Sequence, residues 1–261
     1  MLVHVIADYG IGDLAFAEVL QRMMFHLPGA EPIPLPIPAF STLAAGFCIA
    51  QLGLHSAPPG TLIYHNVAPR EDDPESRPNN AGERLTYAQL PTGVRVIGVN
   101  AGYALSFIKE MANTLRWAAA PAAGSQFRSR DLFPQAAAAI ALGFPHALGE
   151  EIDIRMIPDP PSSSVAYVDG YGNMKTTMTY DHLQVQPGKR IRLRIGEITQ
   201  EVIASDGVFA VSRGELAFAP GSSGWPLRHG RSLQWMEIFL RGGNAWSRFG
   251  NPPVGASVVI D

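Results

Sequence analysis

The chain has 261 residues with a formal net charge of −3; 46% are hydrophobic, 16% charged, and glycine (26) and proline (22) are both abundant. That length accommodates one large domain or two modest ones, and the single cysteine, Cys48, excludes a disulfide framework and points to a reducing compartment, read as the cytoplasm. Mild acidity argues against nucleic acid as a partner, the longest apolar stretch falls short of the ~18–20 residues of a membrane span, and the N-terminus has no signal-peptide pattern.

Leu2–Ala7 (LVHVIA) predicts a buried strand closed by the turn Asp8-Tyr9-Gly10. Asp13 is placed to cap a helix whose apolar positions Phe16, Val19, Leu20, Met23, Met24 and Leu27 follow a helical period, with Pro28-Gly29 as its stop. The proline-punctuated tract Pro32–Pro38 predicts an extended edge segment. A small-residue helix follows over Thr42–Leu52, then a second buried strand over Thr61–Val67. Arg70–Asn80 (REDDPESRPNN), the most polar run, predicts a surface loop with a possible role as a lid. Arg84–Gln89 and Val94–Val99 predict strands, and Leu105–Ala119 and Leu132–Leu142 predict helices. This alternation implies an α/β domain with a mostly parallel sheet over residues 1–157. A Pro/Ser-rich connector, 158–164 (PDPPSSS), leads into short strands separated by turn signals, which imply a smaller all-β, barrel-like domain over 165–261.

Gly10-Ile-Gly12-Asp13-Leu14-Ala15 fits a dinucleotide fingerprint in position, but Asp8 and Asp13 would set carboxylates beside a pyrophosphate, and no acid follows Pro32–Pro38 to hold a ribose. An NAD site is therefore the weakest reading. Asp8, at the carboxyl end of a strand, stands where open α/β sheets bind ligands, and two acids there suit hydroxyls or a cation. Their purely structural roles would be a turn former and a helix cap. The seven histidines never pair at ligand spacing, so no metal site is expected. Gly221-Ser222-Ser223-Gly224 taken alone reads as a hairpin turn. Asp169-Gly170-Tyr171-Gly172-Asn173 reads either as a tight turn or as a loop that stacks a base on Tyr171 and reads its edge with Asn173. Phe127-Arg128-Ser129-Arg130-Asp131 precedes a helix, with Ser129 or Asp131 as a cap.

In sequence order these segments resemble the S-adenosyl-L-methionine hydroxide adenosyltransferases and the related fluorinases and chlorinases. VIADYGIGD looks like that family's first strand and Asp-bearing turn, and FRSRDLFPQAAAAIALG is similar to its F-H-G-R-D-x-F motif and alanine-rich helix. VDGYGNMKTT resembles D-x-F-G-N-x-x-T-N, while GELAFAPGSSGW and MEIFLRGGNA resemble its G-E-L…G-S-S-G-Y and L-E-I-A-x-N-x-G-x-A elements. The resemblance implies S-adenosyl-L-methionine as substrate, no cofactor, and a homotrimer whose sites lie between one subunit's N-terminal domain and its neighbour's C-terminal domain. Asp8 would grip the ribose hydroxyls, Asp13 and Asp169 would lie near the methionine ammonium, and Ser222 would hold the methionine end. Tyr171 and Phe209 would flank adenine, read by Asn173 and the backbone around Arg241 and Gly242; Phe127 joins these substrate-binding residues through its motif.

The nucleophile half departs from the pattern. Hydrolytic members use an Asp in D-P-G-V-G, a following Arg and the His of F-H-G-R-D; here those positions hold Ala68, Arg84 or Arg77, and Arg128. Ser129 replaces the hydrolase glycine and is similar to the fluorinase serine that contacts halide. Arg84, Arg128 and Ser129 are the catalytic candidates, with Glu71 or Asp72 as a replacement carboxylate. Residues 226–235 stand as an insertion. The implied reaction is displacement at ribose C5′, with water or hydroxide ahead of halide; the alternative is a binding protein that retains the pocket without turnover.

Overall fold

The computed structural model describes residues 1–69, 75–121, 123–180 and 186–261, so the expected Glu71 and Asp72 lie outside the described residues. The chain divides into two compact units, Met1–Asp159 and Pro160–Asp261.

In the first unit, β1 (Leu2–Ala7) leads through α1 (Leu14–His26) to β2 (Glu31–Pro36), and through α2 (Thr42–Gly53) to β3 (Leu62–Asn66). Then follow β4 (Leu85–Gln89), β5 (Arg95–Val99), β6 (Thr114–Ala118), α3 (Arg128–Asp131), α4 (Phe133–Ala141) and β7 (Leu148–Glu151). Among the described residues these strands form one seven-stranded sheet in the order β2-β1-β3-β5-β4-β6-β7. The proline tract of β2 sits at the edge, where missing N–H donors cost least. The chain leaves β1 for β2 on one side and returns to β3 on the other. The carboxyl ends of β1 and β3 therefore form a topological switch point, the place where such sheets open a crevice.

Alternate residues of the strands explain the packing. Val3, Val5, Ala7, Leu62, Tyr64, Ile97 and Val99 join Phe16, Val19 and Met23 of α1 and Ala137, Ala138 and Ile140 of α4 in one core. The almost wholly buried α2 packs on β1, β3 and β5 from the other face.

The sheet is not mostly parallel. β1 runs parallel to β2 and β3, and β3 to β5, but β4 is antiparallel to β5 and β6, and β6 to β7. The reason is chain length: residues 90–94 join β4 to β5, far too few for the dozen or more that a parallel crossover needs. Gly93 makes the tight turn at φ +85°, with its N–H bonded to the Leu90 carbonyl. The expected helix over Leu105–Ala119 is likewise corrected. Residues 102–111 form successive turns, and Thr114–Ala118 pairs with β4 because the alternating TLRWA pattern buries Leu115 and Trp117.

The second unit contains β8 (Val165–Val168), β9 (Met174–Thr179), β10 (Arg190–Ile195), β11 (Ile198–Ala204), β12 (Leu216–Pro226), β13 (Ser232–Leu240), α5 (Ala245–Arg248) and β14 (Val258–Ile260). Its sheet runs β14-β10-β11-β12-β13-β9-β8, with β11–β12 the parallel pairing among the described residues. The two edges meet: Ser164 bridges Ser257, the Val165 N–H donates to the Ala256 carbonyl, and that of Val258 to Ser163. The sheet thus curls into a near-closed barrel around Val165, Met174, Leu193, Val202, Phe218, Ile238 and Phe249. The Gly221–Gly224 segment is not a hairpin turn: it lies within β12, as an irregularity between Pro220 and Gly224 where the register with β13 shifts. The 226–235 segment closes that hairpin, and β12 and β13 both extend into it.

Candidate functional site

A cavity of about 400 Å³ opens in the first unit at the switch point. Tyr9 follows β1, Asn66 ends β3 and Ala68 lies just beyond it, Val99 ends β5, and Gln126–Ser129 enter from the loop before α4. Two sequence segments far apart in the chain meet here. The Tyr9 hydroxyl donates to Ser129 Oγ at 2.7 Å, and the buried Tyr64 hydroxyl donates to the Ser129 carbonyl at 2.8 Å. Tyr9 also packs edge-on against Phe16 and Phe127, at centroid separations of 5.2 and 5.7 Å. Burial, and then the neighbouring Tyr9, holds the Tyr64 phenol far above its ordinary range, so it acts as a donor.

The Arg130-Asp131 pair braces this loop rather than lining the cavity. Arg130 Nε donates to Asp131 Oδ1 at 2.7 Å, its Nη1 reaches Glu18 of α1 at 3.1 Å, and Ser125 Oγ donates to Asp131 Oδ2 at 2.5 Å. The hydrogen bond from Arg130, then that from Ser125, lowers the Asp131 carboxyl below its ordinary value. The expected cap is absent: no side chain caps α3 or α4, although Asp131 serves the loop and Ser129 is buried.

Arg128 projects into the cavity. Its Nη1 donates to the Glu83 carbonyl at 3.3 Å, and its guanidinium faces the Phe133 ring at 5.5 Å. Gly82 lies against that guanidinium, and a Cβ there would push the end of the Arg128 side chain aside. Burial lowers the Arg128 pKa; Glu83 opposes the shift and Arg77 adds to it. Arg77 Nη1 pairs with Glu83 Oε1 at 3.0 Å on the same wall. Arg84 does not line the cavity. It stacks on Trp117, 3.9 Å from the ring centroid, and faces Glu150 at 3.8 Å, so of the two arginine candidates the cavity holds Arg77. Glu83, Tyr9 and Asn66 were not candidates from sequence. Tyr9 had a signal, its place between Asp8 and Gly10; Glu83 had none, since no periodicity marks it.

Asp8 stands beside Tyr9 but outside the cavity lining. Its Oδ2 accepts the Phe40 N–H at 2.8 Å, tying the turn after β2 to the end of β1, and among the described residues its Oδ1 accepts no hydrogen bond. Asp13 caps α1 by accepting the Ala15 N–H at 2.7 Å, the structural role its position allowed.

The remaining candidates lie in the second unit, most of them on loops and Ser222 within β12. Asp169 accepts the backbone N–H groups of Tyr171 and Asn173 and the Asn173 side-chain amide at 2.9–3.0 Å, which makes the segment a tight turn. Gly172 leaves room for Asn244, and its carbonyl accepts the Trp246 N–H, so this turn is tied to the Arg241–Trp246 loop. Arg241 bonds the Val211 carbonyl at 2.6 Å and lies over Phe209 at 5.8 Å; Gly242 beside it takes φ +76°. Tyr171 and Phe209 are 81% and 84% exposed, leaving two aromatic faces open on this unit. Ser222 is exposed on β12, while Ser223 beside it is buried. Beneath them Lys175 bridges Asp169 at 3.6 Å and the buried Glu237 at 3.0 Å, and Glu237 accepts the Ser223 N–H at 3.2 Å.

Among the described residues no group of three or more His, Cys, Asp or Glu side chains is arranged to hold a metal, and no helix is long and apolar enough to cross a membrane. No family model matches the chain, and no curated protein does. Solved structures do match over nearly the whole length. An uncharacterized conserved protein from Thermotoga maritima is 18% identical, with a TM-score of 0.76 over 99% of this chain and all of that one. A conserved hypothetical protein from Thermus thermophilus is 20% identical, with a TM-score of 0.69 over 99% of each chain. At that identity the likeness establishes a shared fold: a mixed α/β sheet unit followed by a near-closed β-barrel unit.

Proposed function

We propose that the chain binds S-adenosyl-L-methionine and catalyses displacement at the ribose C5′ carbon, water or hydroxide giving adenosine and L-methionine. The observation that carries this reading is the meeting of the VIADYGIGD and FRSRDLF segments at the switch point, through Tyr9 and Ser129. Asp8 offers a carboxylate oxygen beside that crevice, suited to a pair of ribose hydroxyls. Carboxylates there also suit a sulfonium and an ammonium, and repel the phosphates of a dinucleotide. The exposed Tyr171 and Phe209 are available to stack on adenine. Because a sulfonium is already a good leaving group, alignment and water exclusion supply most of the acceleration. The same reading makes the protein a cytoplasmic homotrimer.

The test is incubation with S-adenosyl-L-methionine, following methionine and adenosine by chromatography, with sedimentation of the same sample for the trimer. Methionine and adenosine should accumulate in equal amounts, and Asp8→Ala should weaken binding measured by calorimetry. No turnover with water, chloride or fluoride would end the enzymatic reading. A second reading, a protein that binds the same ligand without consuming it, is favoured by Ala68 and Arg128 in the cavity wall, where hydrolytic relatives would carry an acid and a histidine. Calorimetry separates the two: binding with no consumption identifies the non-catalytic protein.

A further inference from the structure

A displacement by water needs somewhere for the water's proton to go, and neither Ala68 nor a guanidinium at Arg128 accepts one. The cavity wall contains a group that does. Glu83 is only 13% exposed in its side chain, and its position is held from two directions. Arg77 Nη1 binds its Oε1 at 3.0 Å, while Arg128 Nη1 binds its backbone carbonyl at 3.3 Å. Among the described residues Glu83 Oε2 accepts no hydrogen bond. Gly82, next to Glu83, lies against the Arg128 guanidinium, and a Cβ there would displace it. On the same cavity the Tyr9 hydroxyl donates to Ser129 Oγ, and a neutral hydroxyl is a far weaker proton acceptor than a carboxylate.

We infer that Glu83 is the catalytic general base, resting on the displacement chemistry proposed above. Arg77 is its positioning residue. In the step, a water oxygen forms the bond to C5′ as the C5′–S bond breaks. The electron pair of that bond moves to sulfur, methionine leaves as a neutral thioether, and the water's proton passes to Glu83 Oε2 and then to solvent. A carboxylate base of this kind contributes on the order of 10²–10⁴-fold.

The experiment compares wild type with Glu83→Gln, Glu83→Asp and Glu75→Gln, measuring methionine release against pH and S-adenosyl-L-methionine binding by calorimetry. Glu75 is included as the other carboxylate among the described residues of the cavity wall. Supporting the inference, Glu83→Gln should lose about a hundredfold or more in kcat while binding and melting temperature stay near wild type. Glu83→Asp should recover part of the rate, and the acid limb of the wild-type pH profile should vanish in Glu83→Gln. Two results overturn it and leave the displacement reading standing: a Glu83→Gln rate equal to wild type, or loss of rate in Glu75→Gln alone. If Glu83→Gln unfolds, Glu83→Asp decides instead: a folded Glu83→Asp with the full wild-type rate overturns it. A wild type that consumes no S-adenosyl-L-methionine defeats the parent reading itself, and this inference with it.

Discussion

At the residue scale, His65 is the buried group whose environment has the clearest physical consequence. It lies in β3, fully buried, and among the described residues neither ring nitrogen has a hydrogen-bond partner. Its neighbour across the sheet is Gly98, where any Cβ would overlap the imidazole, so the glycine is the space the ring occupies. Burial drives the His65 pKa down from 6.5 to about 4. The unfolded chain therefore binds a proton that the folded one refuses between those values. Folding stability from this group is complete above pH 6.5 and is lost as pH falls toward about 4, on the order of 3 kcal/mol in all. Urea unfolding between pH 4 and 7 should show that slope in wild type, and His65→Leu should flatten it. An unchanged slope in the variant would place the titration elsewhere, for instance at His4, whose pKa burial also lowers.

At the scale of elements, the loops of the second unit rest on one buried charge network. Glu237 on β13 is 1% exposed and fills the space left by Gly221 on β12. It also anchors the Ser223 N–H and holds Lys175 on β9, which in turn reaches Asp169 at the head of the 169–173 turn. Removing one member of a buried pair strands the other, at a cost of about 3–5 kcal/mol. Glu237→Ala should therefore lower the unfolding free energy of the chain strongly, whereas Arg155→Ala, which removes an exposed pair with Asp153, should change it only slightly, both read from urea unfolding. Comparable shifts from both variants would show that the network contributes little. The elements themselves were partly legible in the residues. β1 and the Asp13-capped α1 follow from local periodicity and capping chemistry, and the proline tract of β2 falls at an edge as its missing donors require. The helix expected over 105–119 failed because the five-residue alternation of TLRWA is too short to stand out from the apolar residues before it, and pairing with β4 decides it.

For the whole molecule, the two units have separate cores: the α/β sheet packs on α1, α2 and α4, while the barrel encloses its own apolar set and nearly closes its edges through Ser164 and Ser257. A unit with its own core and few open edges meets the conditions for independent folding. Residues 160–261 expressed alone should therefore unfold cooperatively by circular dichroism; a non-cooperative melt would mean that the barrel depends on the rest of the chain.

What the sequence determined by itself is local: the strand β1, the acid that caps α1, the proline tract that keeps to an edge, and the change from mixed α/β to mainly strand character near residue 160. Those depend on side-chain periodicity, backbone sterics and capping, which act over a few residues. The tertiary structure decided the rest. It made half of the first sheet antiparallel, turned Gly221–Gly224 into an irregularity within a strand, sent Arg84 to Trp117, and brought Arg77 and Glu83 to the cavity with Arg128. The antiparallel β4–β5 pairing follows from the short 90–94 connection, but the other placements depend on contacts that leave no repeat or spacing in the chain, so they exist only once the sheets have assembled.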